Sequence, residues 1–90
     1  LRGTDDGNRN SAVAYDSLGA NCADDNVAVG YEALNDFTGS SATAVGSGAA
    51  DVAGSQTGLT AIGKSALGAA TSGNDNTAVG YNCLDETIRQ

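Results

Sequence analysis

One segment of the chain matches a phosphate-binding loop letter for letter. Residues 58–65 read G-L-T-A-I-G-K-S, which fits the pattern G-x-x-x-x-G-K-[ST]. Such a loop works when it follows a buried strand and opens a helix, because backbone N–H groups then surround the phosphate. No long apolar strand precedes Gly58, and 90 residues are too few for a nucleotide-binding α/β sheet. We therefore expect no nucleotide at Lys64.

Short runs of Asp and Asn could supply the oxygen ligands that calcium prefers. They lie at 5–7, 24–26 and 74–76. The same residue types are the usual formers of turns, because their side chains hydrogen-bond to the backbone nearby. The Gly-rich calcium-binding nonapeptide of other solenoids is absent from the sequence. We predict no metal and no other cofactor, with calcium at these turns as the alternative.

The sequence lacks the usual combinations of catalytic residues. It contains no His, no carboxylate pair recurs, and neither Cys22 nor Cys83 has a base nearby in sequence. We predict that the protein is not an enzyme. The cysteines belong to the first and last repeats, roughly 19 Å apart if repeats stack at about 4.8 Å. A disulfide needs Cα atoms within about 7 Å, so we expect no intrachain disulfide, while an interchain bond at Cys22 stays open.

Charge and composition narrow the range of partners. The net charge is −7, and the basic residues are only four and scattered. This argues against nucleic acid and against anionic membranes, both of which attract Lys and Arg clusters. No apolar run is long enough to span a membrane, so we predict no membrane insertion. Because the chain begins at Leu1, we expect a processed product or an excised segment.

Most of the chain consists of five copies of one short sequence motif, which we call the phrase. Copies begin at Ser11, Val27, Thr43, Thr60 and Thr77, at intervals of 16, 16, 17 and 17 residues. Regular self-similarity of this kind is typical of repeat architectures, and Gly, Ser, Asn, Asp and Thr between the copies favour turns. We predict an all-β fold, a parallel β-roll or β-solenoid of about five coils. Residues 10–84 form the solenoid, 1–9 an N-terminal lead or cap, and 85–90 a C-terminal cap or linker.

Each copy alternates between two kinds of side chain, which places them on opposite faces of a short strand. We predict that the large aliphatic residues fill the coil interior as a core column: Val13, Val29, Val45, Ile62, Val79, Leu18, Leu34, Leu67 and Leu84. The small residues then lie at, or directly beneath, the contact between chains: Ala28, Gly30, Ala44, Gly46, Ala61, Gly63, Ala78 and Gly80. The alternation is equally compatible with the reverse, in which Ala and Gly face a thin interior and Val and Thr point at partner chains. In both arrangements one coil buries too little apolar surface to offset the conformational entropy that its residues lose on folding, so we expect an oligomer.

Three tyrosines follow the small column and form a candidate ligand surface. Tyr15, Tyr31 and Tyr81 could stack on sugar rings if they are exposed on a fibre. The alternatives are that they stack on one another in adjacent coils or cover a subunit interface.

The repeated phrase resembles that of two groups of fibrous proteins. Residues 76–84 read N-T-A-V-G-Y-N-C-L, and residues 26–34 read N-V-A-V-G-Y-E-A-L. They are similar to the N-T-A-V-G-Y-x-A-L repeats of phage tail-fibre and surface-fibre proteins, and to the N-S-V-A-I-G repeats in YadA-like heads of trimeric autotransporter adhesins. The resemblance implies a left-handed β-roll with three chains side by side. It also implies an extracellular location, on a virion tail fibre or a bacterial surface.

On these grounds we predict a structural and adhesive segment of a trimeric extracellular fibre. Its partners would be two further copies of the chain and a cell-surface receptor, either a glycan or a protein. The alternative is a subunit of an extracellular filament that assembles by end-to-end stacking of coils, since the end coils of a solenoid leave strand edges unpaired.

Overall fold

The computed structural model describes residues 7–19, 23–51, 56–68 and 74–83, and within these ranges the fold is all-β with no helix. Each copy of the phrase contributes one strand of three residues. The strands are β1 (Ser11–Val13), β2 (Val27–Val29), β3 (Thr43–Val45), β4 (Thr60–Ile62) and β5 (Thr77–Val79). They form a single parallel sheet in the order β1-β2-β3-β4-β5. The predicted solenoid of stacked coils is confirmed. The proposed cap at 85–90 and most of the lead at 1–9 lie outside the described residues.

The sheet pairs equivalent positions of successive phrases. Val29 lies opposite Val45, and Val45 lies opposite Ile62. The same register continues beyond the strands: the Glu32 N–H donates to the Tyr15 carbonyl at 2.9 Å, and the Gly48 N–H donates to the Tyr31 carbonyl at 2.8 Å. Residues at equivalent positions of the repeat therefore lie in a row along the solenoid, one in each coil.

The strand faces are the reverse of the leading sequence prediction. The strand alanines Ala28, Ala44, Ala61 and Ala78 are 0–1% exposed and line the coil interior. The aliphatic column of Val13, Val29, Val45, Ile62 and Val79 is exposed, so its assignment to the core is wrong. The interior is thin, and from the turn side it is already filled by Leu18, Leu34 and Leu67, which are buried. Only methyl groups fit beneath the strands. Leu84 lies outside the described residues.

The glycines after the strands permit close contact within the chain. Gly46 has φ +131°, and a Cβ there would lie 2.5 Å from the Gly63 carbonyl oxygen in the next coil. Gly30 and Gly63 meet the following glycine in the same way. The neighbouring backbone is thus the next coil of the same chain. The strand alanines face the coil interior, as in the alternative arrangement, so the predicted interchain contact is wrong at Ala28, Ala44, Ala61 and Ala78. For Gly30, Gly46, Gly63 and Gly80, which are half-buried, an interchain contact stays a prediction.

Tight turns follow each strand and direct the next leucine side chain into the interior. In coil two the Ala33 N–H donates to the Gly30 carbonyl at 3.1 Å, and the Asn35 N–H donates to the Glu32 carbonyl at 3.2 Å. The third residue of each turn has a positive φ, as in type II turns: 59° at Glu32 and 54° at Leu34. Leu18 and Leu67 repeat this conformation. An L-residue there costs roughly 1–2 kcal/mol, which burial of the leucine side chain offsets.

Candidate functional site

The outward side of the sheet is an uncharged surface of aliphatic and hydroxyl side chains, which we call the outer face. Its aliphatic members Val13, Val27, Val29, Val45, Ile62 and Val79 are 36–63% exposed, and Ser11, Thr43, Thr60 and Thr77 complete it. In β3 the outward side chains are those of Thr43 and Val45, with Ala44 pointing inward. No strand contains a charged residue. Aliphatic surface that runs across five strands without a charge resembles the centre of a protein–protein interface.

Beyond the glycine bend a second feature runs along the stack, the tyrosine column. It consists of Tyr15, Tyr31, Ser47, Lys64 and Tyr81. The rings of Tyr15 and Tyr31 stack with centroids 5.7 Å apart and planes at 12°. Backbone bonds keep the later members in line, because the Ser65 N–H donates to the Ser47 carbonyl at 2.9 Å and the Asn82 N–H to the Lys64 carbonyl at 2.9 Å. All three tyrosines are exposed, so the structure combines two of the expected arrangements: a stacked pair and an accessible surface.

Three carboxylates from two coils meet at one corner of the solenoid, the acidic corner of Glu32, Asp36 and Asp51. Partial burial, followed by repulsion from Glu32 and Asp36, raises the pKa of the Asp51 carboxyl, while a hydrogen bond with Asn35 opposes the shift. Asp51 Oδ1 is buried and accepts no hydrogen bond from the described residues. The negative charge of Glu32 also raises the pKa of the Tyr31 hydroxyl. The alignment of the repeat does not reveal this cluster, because Glu32, Asp36 and Asp51 occupy three different positions of the repeat. Asp51 is equivalent to Asn35, and only the fold of the turn brings the three carboxylates together.

The acidic turn at 24–26 makes contacts with the preceding coil. The Arg9 guanidinium holds Asp25 through two contacts, Nε to Oδ1 at 2.6 Å and NH2 to Oδ2 at 3.1 Å. This hydrogen-bonded pair raises the pKa of Arg9 and lowers that of Asp25. Asp24 Oδ1 accepts the Asn8 N–H at 2.8 Å. The carboxylates of Asp24 and Asp25 are therefore engaged by the chain itself, while Asp5 and Asp6 lie outside the described residues.

A buried amide links three coils beneath the strands. Asn26 Oδ1 accepts the Ala42 N–H at 2.9 Å, and its Nδ2 donates to the Gly39 carbonyl at 3.0 Å. The Asn26 N–H in turn donates to Asn10 Oδ1 at 2.9 Å. These bonds explain why Asn recurs three residues before the aliphatic column. Its role is structural, since both ends of the amide are used by the backbone.

The other sequence features that could support chemistry are the metal ligands, the phosphate-loop match and the cysteines. Within the described ranges no group of three or more His, Cys, Asp or Glu residues is positioned to hold a metal ion. The segment resembling a phosphate loop contains β4, and Gly63 packs against the Gly80 backbone, so it is one coil of the stack. Cys83 is a half-buried free thiol, and Cys22 lies outside the described residues. No helix in the described part of the chain could cross a membrane.

Comparisons with known proteins were made at three levels. The chain matches no protein-family model, no curated protein and no solved structure.

Proposed function

We propose that the chain is a structural and adhesive segment of a trimeric extracellular fibre, in which three copies pack through their outer faces as left-handed β-rolls. The supporting observation is the outer face itself. Its central members Val29, Val45 and Ile62 form an uninterrupted aliphatic row that is still 36–39% exposed among the described residues. A sheet normally buries one face against another layer, and here the interior offers only alanines and one large side chain for most coils.

The resemblance of the repeat supplies the rest of the proposal. The repeat resembles the phrases of phage tail fibres and trimeric adhesins, and this resemblance supports a location on a virion or bacterial surface and a role in attachment. A partner for attachment would be a glycan or a protein receptor. The net charge of −7 fits a fibre that stays soluble and does not bind nucleic acid.

The test is the oligomeric state of matched strand variants, measured by light scattering and circular dichroism. We expect the unmodified chain to scatter as three copies. Val45→Asp should abolish the trimer, because a carboxylate would be buried at the interface without a partner. Ala44→Asp should prevent folding altogether, since Ala44 lies inside the coil. Lys64→Ala, a change away from the outer face, should leave the trimer intact. A folded, monodisperse monomer would overturn the proposal.

A second assembly is favoured by the sheet edges. Among the described residues β1 and β5 each pair with one neighbouring strand only. End-to-end stacking of copies would pair these edges and form an extracellular filament. Electron microscopy separates the two assemblies, because open-ended polymers indicate the filament and discrete particles indicate the trimer.

A further inference from the structure

The tyrosine column is interrupted after Tyr31, and we propose that the interruption binds the carboxylated terminal sugar of a glycan. The notch is bounded by Tyr31 and Tyr81, with Ser47 and Lys64 between them. This inference rests on the adhesive function proposed above and assigns it a ligand class and a position.

The register of the coils gives the notch its size. The tyrosine column advances one coil at a time, held by the Gly48 N–H on the Tyr31 carbonyl at 2.8 Å and by equivalent bonds in the next two coils. Tyr31 and Tyr81 are three coils apart, which at the spacing of neighbouring strands is about 14 Å. That length accommodates one sugar ring and its substituents. A Cβ added at Gly48, in the neighbouring column, would meet only Ser65 Oγ, at 3.6 Å, so there is open space beside Ser47.

The aromatic wall of the notch is the free side of the Tyr31 ring. One face of this ring is covered by Tyr15, which stacks on it at 5.7 Å. The opposite face is directed toward coil three, where Ser47 is too small to cover it. The C–H face of a sugar ring packs on such an aromatic surface, and stacking on Tyr15 holds the ring in a fixed orientation.

The charge in the notch selects the type of sugar. Arg9 and Lys64 are the basic residues of the described ranges, and the Arg9 guanidinium is already engaged by Asp25. Lys64 is exposed and has no carboxylate within ion-pair distance among the described residues. The single ammonium group of Lys64 can pair with the single carboxylate of one sugar. The net charge of −7 and the nearby acidic corner oppose ligands that carry many negative charges.

The experiment is a titration of the full chain, monitored by NMR, with a trisaccharide that ends in a carboxylated sugar. We expect shifts confined to Tyr31, Ser47, Gly48 and Lys64, and weaker binding of the neutral trisaccharide. Tyr31→Ala should weaken binding about tenfold through loss of the stacking surface. Lys64→Met should weaken it about two- to fivefold, the range of an exposed ion pair. Thr38→Ala, an exposed change outside the tyrosine column, is the control and should change the affinity less than twofold.

Three results would overturn the proposal. One is the absence of shifts at millimolar trisaccharide, another is unchanged affinity in Lys64→Met, and the third is tighter binding of a highly sulfated glycan. Light scattering on the same samples separates this proposal from the fibre proposal. A trimer that binds no glycan contradicts the notch alone, whereas a monomer that binds at Tyr31 and Lys64 contradicts the trimer alone.

Discussion

Ala44 and Val45 are neighbours in β3, yet the first is fully buried and the second is 36% exposed. The strand thus places its smaller side chain in the core and its larger one outside. An isolated coil gains less than full burial from this arrangement, because the aliphatic groups that could stabilise it remain partly in water. The arrangement becomes favourable when another layer covers the outer face.

Concentration should therefore determine thermal stability. If folding is coupled to assembly, dilution lowers the apparent melting temperature, because mass action favours the dissociated chains. Circular dichroism melts over a hundredfold range of concentration measure this. The control is Val45→Asp, whose melting temperature should not depend on concentration if it folds at all. A concentration-independent, cooperative melt of the unmodified chain would contradict coupled folding.

Two glycines in one turn should respond very differently to alanine. Gly46→Ala places a Cβ 2.5 Å from the Gly63 carbonyl oxygen at φ +131°, and both the contact and the conformation are unfavourable. We expect a loss of about 3 kcal/mol or more. At Gly48 the φ is +71° and the nearest atom to a Cβ is 3.6 Å away, so Gly48→Ala should cost only about 1 kcal/mol. Urea denaturation of the two variants compares them, and equal losses would argue against the close packing of coils at Gly46.

The buried amide of Asn26 should contribute measurably to stability. Asn26→Ala removes the acceptor of the Ala42 N–H and the donor to the Gly39 carbonyl, and water has no access to replace them. We expect a loss of about 1–3 kcal/mol in the free energy of unfolding. Thr38→Ala, an exposed change in the same coil, is the matched control. Unfolding of both variants at the same urea concentration would show that the hydrogen bonds of the Asn26 side chain do not contribute to stability.

The acidic corner predicts a pH dependence that depends on Asp51. The pKa of this carboxyl is raised by burial and by Glu32 and Asp36, so the folded chain holds the proton more tightly than the unfolded chain. Its contribution is fully present below the ordinary Asp pKa and is lost as the pH rises through the raised pKa. Asp51→Asn should therefore stabilise the fold at neutral pH, and the gain should vanish in acid.

The measurement is the melting temperature of both proteins across the acid range. Asp75→Asn, in coil five away from the corner, serves as the control and should not show the same pH-dependent gain. A gain in Asp51→Asn that persists unchanged below pH 4 would mean that charge is not its cause.

The sequence predicts the coils and their positions because both depend on local periodicity. Each of the five phrases has its strand where the short alternating run stands, and turn residues separate the strands. Alternation shows that Ala44 and Val45 point to opposite sides, but not which side is the interior. That choice depends on the space left by Leu34 and Leu67, which approach from the other side of the coil. Side-chain volume across the coil, rather than hydrophobicity along it, decides which residues are buried.

The candidate site was only partly predictable for a similar reason. The three tyrosines are visible in the sequence, and the register of the phrase places them in one column. The notch depends on what stands between them, and Ser47 and Lys64 gain meaning only when each coil is known to be one step along the axis. The positive φ angles at Leu18 and Leu34 likewise could not be predicted from residue type, because leucine rarely adopts a positive φ.

The identical junction between successive coils has a consequence for how such a segment changes over generations. Across the described residues, successive coils meet through equivalent backbone bonds, whether the interval is 16 or 17 residues. Duplication or loss of one unit of the gene would lengthen or shorten the rod by about 4.8 Å and leave its cross-section unchanged. Recombination between repeats could thus adjust the reach of the protein without redesign of its core.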